Sequence, residues 1–124
     1  MSEAVTIRHS ARFKTGRIIL LVAATLMTLN HSVLMFVLDE RVLFMGYAAF
    51  NLYALLLIAL PFQEHERWAW SATWILPIGL AATAALVDDP SSIPFYAVVA
   101  VACGLGQVLT MPSFFAVDPQ VVLQ

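Results

Sequence analysis

The sequence predicts an all-α integral membrane protein, an antiparallel four-helix bundle of up-down-up-down topology, and three observations predict it. The first is a set of four apolar runs, residues 18–38, 42–62, 68–87 and 95–115, of 21, 21, 20 and 21 residues without one Asp, Glu, Lys or Arg. At about 1.5 Å of rise per residue each run crosses a hydrocarbon layer roughly 30 Å thick, where a helix satisfies its own backbone hydrogen bonds. The second is composition: 61% of residues are hydrophobic and 11% charged, against about 25% charged in soluble domains. The third is the shortness of the connections. With three, five and seven residues between runs, consecutive helices are antiparallel neighbours.

Residues 1–17 form a basic tail with Arg8, Arg12, Lys14 and Arg17. It is read either as a short amphipathic helix at the lipid headgroups or as an unstructured segment that only sets orientation. The first run keeps Asn30 and His31 and ends in Leu38-Asp39-Glu40-Arg41 with no small-x-small site, so it is a retained helix rather than a cleaved signal. Asp39-Glu40-Arg41 makes a tight hairpin to the second run, and Gln63-Glu64-His65-Glu66-Arg67 makes the next. Pro90 and Pro94 suit the third turn and the start of the last helix. Residues 116–124 are a second tail.

Five basic residues, Arg8, Arg12, Lys14, Arg17 and Arg67, fall on the side of the tails and only Arg41 on the other. The positive-inside rule then predicts a multi-pass protein of the plasma (inner) membrane with both termini cytoplasmic. Aromatic residues mark both ends of the runs: Phe62, Trp68, Trp70, Phe114 and Phe115 on the tail side, Phe44, Tyr47, Phe95 and Tyr96 on the far side. A net charge of −2 gives no reason to expect nucleic acid. The bilayer is the expected partner, with a second copy or another membrane protein as the further candidates.

Small residues one turn apart indicate where helices touch in lipid. Ala100-x-x-x-Gly104, Gly79-x-x-x-Thr83 and Ala81-x-x-x-Ala85 point to close packing of the third and fourth helices. Cys103, the single cysteine, excludes an internal disulfide and any multi-cysteine metal site.

The candidate functional residues are polar groups inside the runs. Counted from the run centres, Asn30, His31, Asn51 and Gln107 all fall within about 5 Å of the midplane and form one expected layer. Thr28, His31, Ser32 and Met35 follow i, i+3, i+4, i+7 spacing and share a face. Pro77 removes the hydrogen bond that the Thr73 carbonyl would accept. Two readings stand at this point. His31, Asn51, Gln107, Asn30 and Thr28 either tie helices together, at about 0.6 kcal/mol per hydrogen bond, or line a cavity for the polar head of a lipophilic ligand such as a quinone or isoprenoid. Neutral imidazole at His31 would serve as both donor and acceptor.

Other chemistries lack their residues. His31 is the one histidine within a run, so two-His haem ligation inside the chain is excluded, and no cofactor is assigned. A proton-coupled antiporter is disfavoured because no run holds a carboxylate. No Ser or Cys stands in a recognisable pairing with His and an acid, which points away from an enzyme.

The stretch Glu66-Arg67-Trp68-Ala69-Trp70, followed by Trp74 and Pro77, resembles the turn found in small four-helix bacterial inner-membrane proteins grouped loosely with the DoxX-like families. That resemblance implies a bacterial inner-membrane bundle and, through the association of DoxX proteins with quinone-linked oxidoreductases, a lipophilic ligand or redox partner. Two functions are therefore expected: first an accessory or oligomeric scaffold subunit, and as the alternative a ligand-binding, redox-accessory bundle.

Overall fold

The computed structural model describes residues 10–115, and all regular structure among them is helical. In chain order the elements are α1 (Ala11–Val37), α2 (Arg41–Ala59), α3 (Arg67–Thr73), α4 (Ile75–Leu86) and α5 (Ile93–Phe115). α3 and α4 together form the third of four helical stretches long and apolar enough to cross a membrane.

α1 begins at Ala11 rather than at the first apolar residue. Ser10 caps it, its Oγ accepting from the Phe13 amide at 3.2 Å, and Phe13 and Gly16 are buried while Arg12 and Lys14 are exposed. Basic residues thus mark where the apolar run ends, not where the helix ends. The third stretch breaks at Trp74, three residues before Pro77. Lacking an N–H, Pro77 cannot bond the Thr73 carbonyl, and the backbone tightens there, with the Trp74 amide donating to Ser71 O at 3.3 Å.

Cross-helix contacts fix the topology. Phe13 meets Phe62 and His31 meets Asn51, so α1 and α2 are antiparallel; Gly16 meets Gly106 and His31 meets Tyr96, which makes α1 and α5 antiparallel too. Trp70 and Arg67 reach Gln107 and Phe114. α1 packs against α2 and α5, and α5 against α3 and α4; α2 and α4 touch much less. Around the ring of helices that seam is the loosest, bridged by the Phe50 ring beside Gly79.

The closest crossing is at glycines that the small-residue motifs did not include. A Cβ added to Gly16 would lie 2.6 Å from the Gly106 carbonyl oxygen, and one on Gly106 would lie 2.9 Å from the Gly16 carbonyl. Backbone meets backbone where α1 crosses α5. The expected approach at Gly104 is corrected: a Cβ there meets nothing within 4 Å, and at Gly79 it meets only the Phe50 ring at 3.5 Å. Gly104 leaves open space, and Gly79 would make only an ordinary van der Waals contact with a ring rather than a backbone crossing.

The core is a stripe on each helix, including Leu20, Ala24 and Met27 of α1, Ala54 and Ile58 of α2, Leu76 and Leu80 of α4, and Ala100 and Cys103 of α5. Outward-facing positions are apolar as well; Phe36, Val42 and Leu86 are more than 70% exposed. A water-soluble bundle would place polar side chains there, whereas lipid is a suitable solvent for both faces.

At the end that holds both described termini, arginines close two helices. Arg17 donates from Nε to Ile58 O at 3.3 Å and from Nη2 to Ala59 O at 3.2 Å and Gln63 Oε1 at 2.6 Å, satisfying the last carbonyls of α2. Arg67 Nε donates to Phe114 O at 3.2 Å at the end of α5. Both cations sit where free carbonyls and the helix dipole favour them. His65 turns the chain there with φ 61° and stacks on Phe13 at 4.4 Å between ring centroids.

Candidate ligand site at the His31–Asn51 pair

The polar groups of the runs do not form one layer. Gly106 packs on Gly16, Ile19 and Leu20, so Gln107 lies at that level of α1, roughly 17–22 Å along the helix from His31 at 1.5 Å per residue. The expected meeting of Gln107 with His31 and Asn51 is therefore corrected. Depth was counted from the centre of an apolar run, but α1 extends to Ala11, and its centre lies correspondingly nearer the tail end.

Gln107 joins a separate cluster. Its Nε2 donates to Trp70 O, Trp70 Nε1 donates back to Gln107 O at 3.2 Å, and Thr110 Oγ1 donates to the same carbonyl at 2.8 Å. This reciprocal pair ties α3 to α5. Thr28 is also spent locally: its Oγ1 donates to Ala24 O at 2.7 Å, and Ser32 Oγ donates to Thr28 O at 2.7 Å. Asn30 is half-buried, and its side chain makes no hydrogen bond among the described residues.

His31 and Asn51 are together, and a third residue completes the group. Asn51 Nδ2 lies 2.7 Å from Tyr47 O and 2.9 Å from His31 Nδ1; His31 Nε2 lies 3.3 Å from the Tyr96 hydroxyl. His31 is 4% exposed and Asn51 2%. The rings of Tyr47 and Tyr96 lie 5.2 Å and 6.3 Å from the imidazole.

Proton positions follow from one fixed point. The Tyr47 carbonyl is only an acceptor, so the atom of Asn51 facing it at 2.7 Å must be the NH2, which fixes the amide. Its second proton points to His31 Nδ1, which therefore accepts, leaving the imidazole proton on Nε2 to be donated to Tyr96. Asn51 Oδ1 is then left over, a buried acceptor with no partner.

Beside this pair lies a cavity of about 600 Å³, lined by His31 and Asn51 together with Gly46, Tyr47, Phe50 and Thr83. It lies along the loose seam between α2 and α4, because Gly46 and Gly79 withhold side chains from its walls. A second cavity of about 600 Å³ shares Leu43, Tyr47 and Thr83 with it and continues to Glu40, Asp89 and Tyr96 at the far end of the bundle. Gln107 lines neither.

Tyr96, Tyr47, Gly46 and Thr83 were not singled out as site residues from sequence. Tyr47 precedes Asn51 by one helical turn, a spacing that places both on one face and carries a signal. Nothing local points to Tyr96, whose place depends on how α5 registers against α1. No group of three or more His, Cys, Asp or Glu side chains among the described residues is arranged to hold a metal ion. Comparison of the chain with protein-family models, with curated proteins and with solved structures finds no match.

Proposed function

We propose that this four-span membrane protein binds a lipophilic small molecule in the cavity between α1, α2 and α4, with the ligand's polar head at His31 and Asn51. The observation that carries the reading is that the buried polar pair borders a cavity of about 600 Å³, within the usual range of small-molecule sites. His31, Asn51 and Tyr96 tie α1 to α2 and α5 much as Trp70 and Gln107 tie α3 to α5, and Gln107 Oε1 is unpaired as well, but only the first group borders these cavities. The lining is chiefly apolar with a few convergent polar groups, and the α2–α4 seam offers access from the bilayer. The resemblance to DoxX-like proteins accords with an isoprenoid-like or other lipophilic body, and nothing among the described residues favours a scaffold role over this one.

The test uses two open glycines. Gly46 lines the cavity and Gly104 does not, yet a Cβ at either meets nothing within 4 Å. Gly46→Leu adds bulk to the cavity from a position where a Cβ meets no protein atom, and Gly104→Leu adds the same bulk elsewhere. Mass spectrometry of molecules co-purifying in matched detergent should find a lipophilic species with wild type and Gly104→Leu, and lose it with Gly46→Leu. The same profile from all three proteins would overturn the reading.

A further inference from the structure

Resting on that reading, we infer that the ligand's head is a hydrogen-bond donor, and that its chemical class is a lipophilic alcohol or phenol rather than a ketone, quinone, ester or ether. Both amide protons of Asn51 are committed, one to Tyr47 O and one to His31 Nδ1, and the His31 Nε2 proton is committed to Tyr96. Thr83 Oγ1 donates to Gly79 O at 2.9 Å, so its hydroxyl offers the cavity only lone pairs. What is left unpaired on the residues of this wall is acceptors: Asn51 Oδ1, itself buried, first, and Thr83 Oγ1 second.

The two kinds of unpaired group at this wall differ in cost. A buried acceptor without a partner is costly to leave unpaired, whereas the Tyr47 hydroxyl, on a residue 39% exposed, can turn to other partners at little cost. Asn51 Oδ1 therefore sets the requirement. A hydroxyl head meets it by donating, and accepts from Tyr47 at the same time; a carbonyl or ether head would set lone pairs against lone pairs. Sites built around a buried polar atom reject analogues that lack the complementary proton far more strongly than sites that merely accommodate bulk.

The experiment is a one-tube competition. Detergent-purified protein is incubated with equal amounts of 4-nonylphenol and its methyl ether, 4-nonylanisole, and the bound ratio is read by native mass spectrometry. Wild type should carry the phenol in at least about ten-fold excess, the value that 1.4 kcal/mol corresponds to. Asn51→Leu should bring the ratio close to one, and Gly46→Leu should lose both adducts. A ratio near one in wild type, with both adducts lost in Gly46→Leu, would overturn the donor requirement and leave the cavity site standing. Ten-fold preference surviving in Asn51→Leu or Gly46→Leu would place hydroxyl recognition elsewhere and overturn it as well. No binding of either probe, or equal non-selective binding in wild type and Gly46→Leu, would remove the ligand site itself.

Discussion

His31 carries a definite prediction because its tautomer is dictated by a carbonyl two contacts away. With the Asn51 amide oriented by Tyr47 O, Nδ1 is bare and Nε2 protonated. Solid-state ¹⁵N spectra of bilayer-embedded protein should show that tautomer for His31, and Asn51→Leu should release the constraint. A protonated Nδ1 in wild type would mean that the amide is turned over and that Nδ2, not Oδ1, is the unpaired atom. His31 and Asn51 were legible in the sequence because a polar side chain in an apolar run has few reasons to be there. Their grouping with Gln107 was not, since residue counts along separate runs give no register between helices. The same gap hid Tyr96: its side chain reaches His31 from the first turn of α5, where sequence marks it only as an interfacial aromatic.

Helix crossings show a second difference between pattern and packing. Small-x-x-x-small motifs drew attention to Gly104, yet the tight contact is a pair of single glycines, Gly16 and Gly106, on helices distant in sequence. A motif records that backbones can approach; which ones do so depends on the partner face. Gly16→Ala should destabilise the bundle by roughly 1–3 kcal/mol, since the new methyl meets a carbonyl that cannot step aside. Gly104→Ala should be neutral or stabilising by about 0.5–1 kcal/mol, gaining helix propensity in open space. Unfolding of both variants in mixed micelles checks the difference in sign, and equal losses would refute the crossing. The turn before α5 adds a pH dependence. Hydrogen bonds from the Ser92 and Ser91 side chains and the Ser91 amide hold the Asp89 carboxyl below the ordinary carboxylate range. A lowered folded-state value means that the turn is favoured above the unfolded pKa and loses that contribution as pH falls through the folded one. Protection of the Ser91 amide, its exchange taken relative to the intrinsic rate at the same pH, should therefore fall only at pH below the usual Asp range, and Asp89→Ala should lower it at neutral pH as well.

For the whole molecule, one set of residues serves both orientation and closure, and separating the two gives the last prediction. The four long apolar helices and their up-down-up-down order were legible because the apolar runs, the short turns and the solvent requirement of lipid all agree. Helix limits were less so, as α1 continues through Arg17 and Lys14 to Ala11. Basic residues nearest the bundle consequently have two tasks. Arg17 and Arg67 cap α2 and α5, whereas Arg12 and Lys14 are exposed and form no side-chain hydrogen bond among the described residues; Arg8 lies outside those residues. The charge distribution gives the expectation that both termini are cytoplasmic, which fusions of a cytoplasm-active and an exterior-active reporter to each end test directly. Replacing Arg8, Arg12 and Lys14 with Gln should increase the fraction of inverted chains while leaving the thermal stability of correctly oriented protein unchanged. Arg17→Gln should do the converse, keeping orientation through the remaining charges and costing about 1 kcal/mol through loss of the α2 cap. Orientation that collapses with Arg17→Gln alone, or stability that falls with the triple replacement, would show that the two tasks are not divided in this way.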